Sequence, residues 1–321
     1  MNTPNPEFNY KVAVFTITAK TNLHVGSGSQ NYGIIDNMVQ RDPLTGFPCI
    51  YSSSLKGAIR EYFRYYLKEE DASFWSKERI HDFLFHVFGF AREDSIENEE
   101  TEIVKPNAPE IKQQPGKYRF LQADLLSIPV RSDKRLFYRT TCPYLLSNFK
   151  DASVMYKSEL KPEYLNALNS INSTLIGNDK AIHFDTGVSV LEETDILAEP
   201  RTAIPNLLQL NDIAGNELAI VKDIEFAELV SDFHLPVIAR NNLADGRSTN
   251  LWYEQVLPSE TRFWFGVLYP ESDSELENFI RIIQLNPVQI GANASIGYGF
   301  CKISLAGWFV SPIIPQSNEN Q

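Results

Sequence analysis

The clearest periodic pattern along the chain is a helix that follows three serines. Apolar residues recur three and four positions apart from Leu55 to Leu67, which predicts one buried helix face. Ser52, Ser53 and Ser54 supply candidate N-caps for this helix. The opposite side of the helix carries residues four positions apart that form one basic stripe: Lys56, Arg60, Arg64 and Lys68.

Shorter patterns predict the elements around this helix. Alternating or β-branched apolar runs indicate strands at 10–25, 118–130, 135–141, 235–240, 249–255 and up to 305. Helical spacing of apolar residues indicates further helices at 79–90, 161–169 and 271–284. Interleaved strands and helices without strict βαβ alternation predict an α+β fold, with the helices on one side of an antiparallel sheet.

Composition indicates an ordinary globular protein with an acidic surface. Hydrophobic residues make up 43% and charged residues 22% of the 321 residues, which is enough apolar material for a proper core. The formal charge is -12, so any nucleic-acid role requires a local basic strip. Residues 41–68 provide such a strip, because they hold five basic residues and two acidic ones.

We interpret residues 1–310 as a single domain with insertions and residues 311–321 as a polar tail. Residues 91–116 predict a solvated insertion, because six acidic residues lie between 91 and 102. Asp245-Gly246 lies between two strand patterns and predicts a hairpin tip. The three cysteines form no CxxC pair, and no signal peptide or membrane span is visible, so we expect a cytoplasmic protein.

Candidate chemistry is concentrated in the loop between the first strand and the helix. Gly26-Ser27-Gly28 lacks the spacing of a dinucleotide or Walker motif, so it favours a flexible loop over a nucleotide site. His81 and His86 cannot share a metal on one helix face, and no Ser-His-Asp order stands out. Asp36 could accept a proton from a 2′-hydroxyl or help to hold a divalent cation on a phosphate oxygen.

The basic stripe permits two interpretations. Backbone N–H groups at a helix N-terminus attract an anion, and Lys56 in the first turn would add a full charge beside them. Arg60 and Arg64 would extend this positive field along the helix. The alternative is a solvated helix face that binds no ligand.

An ordered series of short motifs, rather than any one of them, resembles a known family. The series runs from about residue 10 to 305. It resembles the RAMP superfamily and, within it, the repeated backbone subunit of type III-B CRISPR complexes. The motifs are His24-x-Gly26-Ser27-Gly28, Gly33-Ile34-Ile35-Asp36, Gln40-Arg41, Thr45–Pro48, Ser52–Glu61, Pro129–Ser132, Thr141–Leu145, Leu251–Ser259, Gln289–Gly291 and Gly297-x-Gly299.

The resemblance implies a ferredoxin-like (RRM-like) palm with insertions and a protruding thumb hairpin at about residues 235–251. It implies that copies of the chain stack along a guide crRNA, beside other CRISPR effector subunits and away from any membrane. It also implies an endoribonuclease that cuts bound single-stranded target RNA at regular intervals by 2′-OH in-line attack. The implied cofactor is a divalent metal, Mg²⁺ or Mn²⁺.

The resemblance also assigns roles to individual residues. Asp36 matches the key acid, which is also a weak metal ligand shared with the substrate phosphate. His24 matches a loop histidine near the RNA and Glu254 an acid beside the cleavage site, and both are implied catalytic residues. The implied RNA-binding residues are Ser27, Arg41, Ser54, Lys56, Arg60, Arg240, Gly291, Gly297 and Gly299.

Several positions depart from the family pattern, but the positions of its key acid, loop histidine and guide-binding lysine do not. Because Asp36, His24 and Lys56 are retained, we expect an active nuclease. Two other functions stay open: a purely structural crRNA-binding filament subunit, and a stand-alone enzyme that binds a small anion or nucleotide. The departures are Asp42, Gln255, Val256, Ala292 and Ala294.

Overall fold

The structure is a computed structural model that describes most of the chain. The described ranges are 10–28, 34–69, 74–89, 114–156, 160–175, 181–191, 196–200, 207–244 and 247–306. Of the predicted insertion at 91–116, only residues 114–116 are among them, and the predicted tail at 311–321 lies outside them. Pro115 forms an isolated bridge with Gly89, so the two ends of the insertion lie side by side.

Within the described ranges the chain forms strands and helices in an interleaved order. The strands are β1 Tyr10–Ala19, β2 Cys49–Ile50, β3 Arg119–Phe120, β4 Ala123–Val130, β5 Tyr138–Thr141, β6 Ala181–His183, β7 Ser189–Leu191, β8 Ile196–Pro200, β9 Leu218–Ile220, β10 Val237–Ala244, β11 Arg247–Gln255, β12 Arg262–Pro270, β13 Val288–Gln289 and β14 Phe300–Leu305. The helices are α1 Ser52–Glu69, α2 Lys77–Phe88, α3 Pro143–Met155, α4 Pro162–Leu175, α5 Leu210–Ala214, α6 Asp223–Leu229 and α7 Leu276–Ile283.

Four long strands form the centre of the large sheet. Their order is β14-β1-β12-β4, and each neighbouring pair is antiparallel. Along the chain, β1, α1, β4, β12, α7 and β14 follow a βαββαβ order, which is compatible with the expected ferredoxin-like palm. The predicted α+β class is confirmed.

The prediction that helices lie on one side of an antiparallel sheet is wrong in two respects. Outside the four central strands, β5 pairs with β9 and β6 with β8 in parallel. Helices also cover both faces of the sheet. In β1, Phe15 and Ile17 join the core beneath α1, α2 and α7, whereas Val14 joins a second core beneath α3, α4 and α5. Because both faces of β1 are apolar, both must be shielded from water.

The chain departs from the sequence prediction most clearly at its central strand. Arg262–Pro270 forms β12, which no alternating pattern revealed, because an apolar run buried on both faces does not show period two. The helix predicted at 271–284 begins only at Leu276. Before it, Asp273 Oδ1 accepts a hydrogen bond of 2.9 Å from the Glu275 N–H and makes a turn.

The strands β10 and β11 form a separate two-stranded hairpin. Arg240 pairs with Trp252 and Ile238 with Glu254, and the register shifts at Asn242. The thumb predicted at 235–251 falls on this hairpin, although its strands continue to residue 255. The predicted tip at residues 245–246 lies outside the described ranges.

Substitution of Phe279 tests the core that supports the palm. The Phe279 ring stacks on Phe63 at 5.3 Å and contacts Tyr118, Phe120 and Phe15. Since Phe279 is fully buried, we expect Phe279→Ala to lower the free energy of unfolding by about 3–5 kcal/mol, measured by urea denaturation.

Phe233 is 95% exposed and provides the matched control. We expect Phe233→Ala to change the free energy of unfolding by less than about 0.5 kcal/mol. Equal losses in the two variants would contradict the packing described for α7.

Candidate functional site

Asp36 is held against the base of the hairpin by backbone pairing. The Asp36 and Asn37 N–H groups both donate to Tyr253 O, at 3.0 and 3.1 Å, and Gln255 N donates to Asn37 O at 2.9 Å. The Tyr253 N–H in turn donates to Asp36 Oδ2 at 2.7 Å. Asp36 is nevertheless exposed. The carboxylate is thus fixed on one side and open to solvent, where it could accept a proton or contact a cation.

Glu254 follows Tyr253 directly but has the opposite environment. It is 4% exposed, and its Oε2 accepts hydrogen bonds from Arg240 Nη1 at 3.0 Å and from Asn293 Nδ2 at 2.8 Å. Its Oε1 lies 3.7 Å from His24 Nε2. The predicted acid beside the cleavage site is therefore surrounded by protein donors and is not open to solvent.

His24 is also enclosed by protein. It is 4% exposed, and its Nδ1 lies 2.6 Å from Gln255 O. Since a carbonyl oxygen can only accept a hydrogen bond, Nδ1 carries a proton and is the hydrogen-bond donor to Gln255 O. Its Nε2 then faces Glu254. The structure brings His24 and Glu254 together but presents neither side chain to the surface.

The glycine-rich segment, residues 289–299, packs against the segment after β1 that carries His24. Ala292 N donates to His24 O at 2.9 Å, and Gly299 N donates to Asn22 O at 2.8 Å. Gly291 has a φ of +84°, and a Cβ atom there would lie 2.3 Å from His24 O. Only glycine permits both this backbone conformation and this close approach. The glycine-rich segment is therefore in direct contact with the backbone of His24.

Arg240 connects the hairpin to the glycine-rich segment. Its guanidinium lies 5.6 Å from the Trp252 ring centroid and 5.9 Å from that of Tyr298. These distances are within the range of cation–π attraction. Together with the bond to Glu254, they give the predicted RNA-binding side chain three protein contacts.

The basic stripe of α1 is partly buried, so the alternative of a solvated helix face is wrong for Arg60, which is 8% exposed. Lys56 is half-buried. Burial and the neighbouring Arg60 guanidinium lower the pKa of Lys56 below its ordinary value. A nearby phosphate would oppose the lowering of this pKa, because an anion stabilises the charged ammonium.

The start of α1 is tied to the N-terminal loop by Gln40. Gln40 Nε2 donates to Ser54 Oγ at 2.9 Å and to Gly26 O at 3.2 Å, and its Oε1 accepts from Tyr51 N at 2.7 Å. The helix begins at Ser52, so the serines lie within its first turn rather than before it. This connection fixes the basic stripe relative to the loop that carries Asp36.

Two predicted RNA-binding residues have protein contacts in the same loop. Arg41 Nη1 donates to Gly46 O and Val230 O, each at 2.7 Å, and its Nη2 pairs with Asp232 at 2.9 Å. Burial lowers the pKa of Arg41, and Asp232 opposes this shift. Ser27 N donates to Met38 O at 2.9 Å, so this N–H is not directed at an outside anion. Their contacts with RNA stay predictions.

The structure adds two groups that the sequence did not indicate. The Tyr253 N–H is a backbone donor, which no side-chain pattern can reveal. Asn293 adopts a left-handed conformation with a φ of 68°, which places its amide on Glu254. Asparagine tolerates this region better than most residues, so an Asn within a glycine-rich segment was the available signal.

The site offers few protein ligands for a metal ion. Among the described residues, no group of three or more His, Cys, Asp or Glu side chains is arranged to hold one. Glu254 Oε2 is already bonded to Arg240 and Asn293. Asp36 alone, with one oxygen on Tyr253, fits a cation that takes its other ligands from substrate oxygens and water, as Mg²⁺ commonly does.

The fold and site together define a sheet protein whose thumb-like hairpin meets an exposed carboxylate at its base. The chain belongs to the RAMP superfamily, whose family model matches residues 16–302. In the described part of the chain, no helix is long and apolar enough to cross a membrane.

Within the superfamily, the chain is similar to proteins of type III-B Cmr complexes. The chain is 28% identical to "CRISPR system Cmr endoribonuclease Cmr4" from Pyrococcus furiosus, over 92% of this chain and 95% of that protein. It is similar to a chain in the cryo-EM structure of type III-B Cmr-beta in the apo state, with a TM-score of 0.68, 26% identity and coverage of 94% and 99%. The corresponding structure bound to cognate target RNA gives a TM-score of 0.66 at 26% identity, with coverage of 93% and 98%.

A pair of glycine substitutions tests the packing beneath His24. Gly291 and Gly297 share nearly the same φ, +84° and +85°, but a Cβ at Gly297 would have nothing within 4 Å. We expect Gly297→Ala to lower the free energy of unfolding by about 1–2 kcal/mol, from the backbone conformation alone. Gly291→Ala should cost about 1–3 kcal/mol more, because it also displaces the His24 carbonyl. Equal losses in thermal or urea unfolding would show that the close approach does not exist.

Proposed function

We propose that this chain is a crRNA-binding backbone subunit of a type III-B CRISPR complex that cleaves guide-paired target RNA. The observation that carries the proposal is the exposed Asp36 carboxylate, fixed at the base of the hairpin in a chain whose relative over 92% of its length is named an endoribonuclease. The retained position of this acid supports an active subunit rather than a purely structural one.

The chemistry requires geometry more than a strong protein nucleophile. A ribose 2′-hydroxyl attacks the adjacent phosphorus, the 5′-oxygen leaves, and the attacking and leaving oxygens must lie in line. Asp36 would accept the hydroxyl proton; the bond from Tyr253, which orients one carboxylate oxygen, and the solvent exposure of the group support this role. A hairpin that displaces the strand beside this carboxylate would supply the alignment. The need for a 2′-hydroxyl makes RNA, and not DNA, the substrate.

A divalent metal, Mg²⁺ or Mn²⁺, fits this mechanism as a partner of the substrate. When bound, it would neutralise charge on the phosphate oxygens. Asp36 would hold it together with substrate oxygens and water. Glu254 would contribute no ligand, since it is 4% exposed, its Oε2 is bonded to Arg240 and Asn293, and its Oε1 faces the buried His24.

The distribution of charge accounts for guide binding by an acidic protein. The chain carries a formal charge of -12, so RNA must approach the basic stripe rather than the general surface. Lys56 lies near the start of α1, which Gln40 ties to the loop that carries Asp36, and the buried Arg60 adds its charge one turn further along the helix. Base pairing with the guide would select the target, so the protein needs only backbone contacts. The partners would be crRNA, single-stranded target RNA, further copies of the chain and other effector subunits in the cytoplasm.

Removal of the Asp36 carboxylate tests the catalytic assignment. Asp36→Asn keeps an oxygen for the Tyr253 N–H, and Asp36→Ala removes it. We expect both variants to cut complementary labelled RNA at least about 100-fold more slowly in the assembled complex, the usual effect of losing a general base. Guide binding and assembly should be unchanged.

Asp151 is exposed on α3 and provides the control Asp151→Asn, which should cut at the parental rate. Evenly spaced fragments produced by Asp36→Ala at the parental rate would reject Asp36 as the acid. If the parental complex binds target but does not cut it, the purely structural alternative is correct.

Lys56 tests the phosphate contact at the start of α1. We expect Lys56→Ala to weaken guide RNA binding and to reduce the log–log salt slope by about 0.7, the value for one phosphate contact on a single strand. Lys77→Ala removes an exposed lysine on α2 and serves as the control. Filter-binding isotherms from low to high salt measure both quantities. Parallel isotherms for parent and Lys56→Ala would count against a phosphate at this position.

A further inference from the structure

Asn293 and Glu254 join two separate parts of the chain at the base of the hairpin. We propose that their hydrogen bond is a clamp that positions Asp36, with Asn293 as an unassigned positioning residue, and that Glu254 acts through this clamp rather than as an acid of the reaction. The inference rests on the proposed function, because it concerns how the cutting carboxylate is placed.

The clamp depends on an unusual backbone conformation. Asn293 has a φ of 68° and a ψ of 28°, and its carbonyl accepts hydrogen bonds from Ile296 N at 3.1 Å and Tyr298 N at 3.2 Å. These bonds fix the residue in a tight turn of the glycine-rich segment. Its side-chain amide is thereby directed at Glu254 Oε2, 2.8 Å away. A left-handed conformation persists in a non-glycine residue when its surroundings enforce it, and asparagine adopts it more readily than most residues.

Glu254 is suited to receive this amide and is poorly suited to exchange protons with RNA. It is 4% exposed, and one oxygen accepts from both Arg240 and Asn293. The other oxygen faces His24, which is equally buried. An acid that served the reaction would have to give up these bonds in each turnover. Charge-assisted bonds of this kind are strong enough to hold the hairpin base in place.

The clamp reaches Asp36 through a single residue. Glu254 is fixed by its side chain, and the backbone of the preceding Tyr253 makes two hydrogen bonds to Asp36 and one to Asn37. The Tyr253 N–H donates to Asp36 Oδ2, and its carbonyl accepts from the N–H groups of Asp36 and Asn37. A shift of β11 would therefore move the carboxylate directly. Small displacements of a reacting group lower rates steeply.

Asn293→Asp tests the clamp without changing its shape. The variant replaces the donor by a second carboxylate next to Glu254, so we expect cutting at neutral pH to fall by about 10- to 100-fold, as for loss of a charge-assisted hydrogen bond. At low pH the two carboxylates share a proton, and the hydrogen bond returns. The ratio of variant to parental rate should therefore rise as pH falls. Arg240 and His24 also face this pair, so the same ratio is measured for Asn293→Gly, which introduces no carboxylate.

The conservative variant of Glu254 separates the clamp from an acid of the reaction. In Glu254→Gln, the amide oxygen can still accept from both Arg240 and Asn293, while the amide nitrogen faces His24 Nε2. We expect Glu254→Gln to cut at least about 10-fold faster than Glu254→Ala, which removes the clamp, whereas loss of an acid would slow both variants equally. Asn293→Gly keeps the left-handed backbone and removes the amide, so it should cut slowly with no pH-dependent recovery.

The control is Asn286→Asp, which changes an exposed asparagine between α7 and β13 and should cut at the parental rate. All variants are assayed in the assembled complex, with bound guide RNA measured beside the cutting rate. The proposal is overturned if Glu254→Gln cuts no faster than Glu254→Ala, the result expected if Glu254 is an acid of the reaction. It is also overturned if Asn293→Asp cuts at the parental rate. Failure of the proposed function itself would appear separately, as parental cutting by Asp36→Ala.

Discussion

The backbone pairing between the N-terminal loop and the last strand of the hairpin is the constraint on which the site depends. Asp36 and Tyr253 are 217 residues apart in the chain, and their hydrogen bonds place a loop carboxylate on a strand anchored in the palm. A carboxylate on a free loop would have to be ordered in each encounter with RNA. Here folding has already ordered it, and chemistry that depends on alignment gains from a fixed acid.

The same strand separates two acids into different roles. Tyr253 presents its N–H to an exposed aspartate, whereas Glu254 turns a buried carboxylate towards Arg240 and Asn293. A similar division holds for the cations. The half-buried Lys56 has its pKa lowered by burial and by Arg60, and it stays available to an anion. Arg41 is bonded to backbone carbonyls and Asp232 and holds the loop. Net charge alone could not distinguish these groups, because it depends only on residue type.

Sequence predicted the elements that have one face in the core and the other face in solvent. The helical period of α1 can be recognised in the sequence because one face of the helix is apolar. Its basic stripe can be recognised because the basic residues are four positions apart. β12 gave no such signal, since Arg262–Pro270 is buried on both faces and lacks alternation. In the site, the ordered motifs pointed to Asp36, His24 and Glu254. The burial of the last two arises from tertiary contacts with Gln255 and Asn293, and no local pattern encodes them.

The role of Asp36 is tested most directly by its position in a structure of the assembled complex with guide and target RNA. The target carries a 2′-deoxy substitution at each cut site, so that it binds without being cut. We expect an Asp36 carboxylate oxygen within about 4 Å of the C2′ atom beside a cut site, which is hydrogen-bond reach of the missing hydroxyl. The Tyr253 contact should persist in that complex. A bound target whose nearest C2′ lies more than about 8 Å from Asp36 would contradict the account, because no single water could then relay the proton.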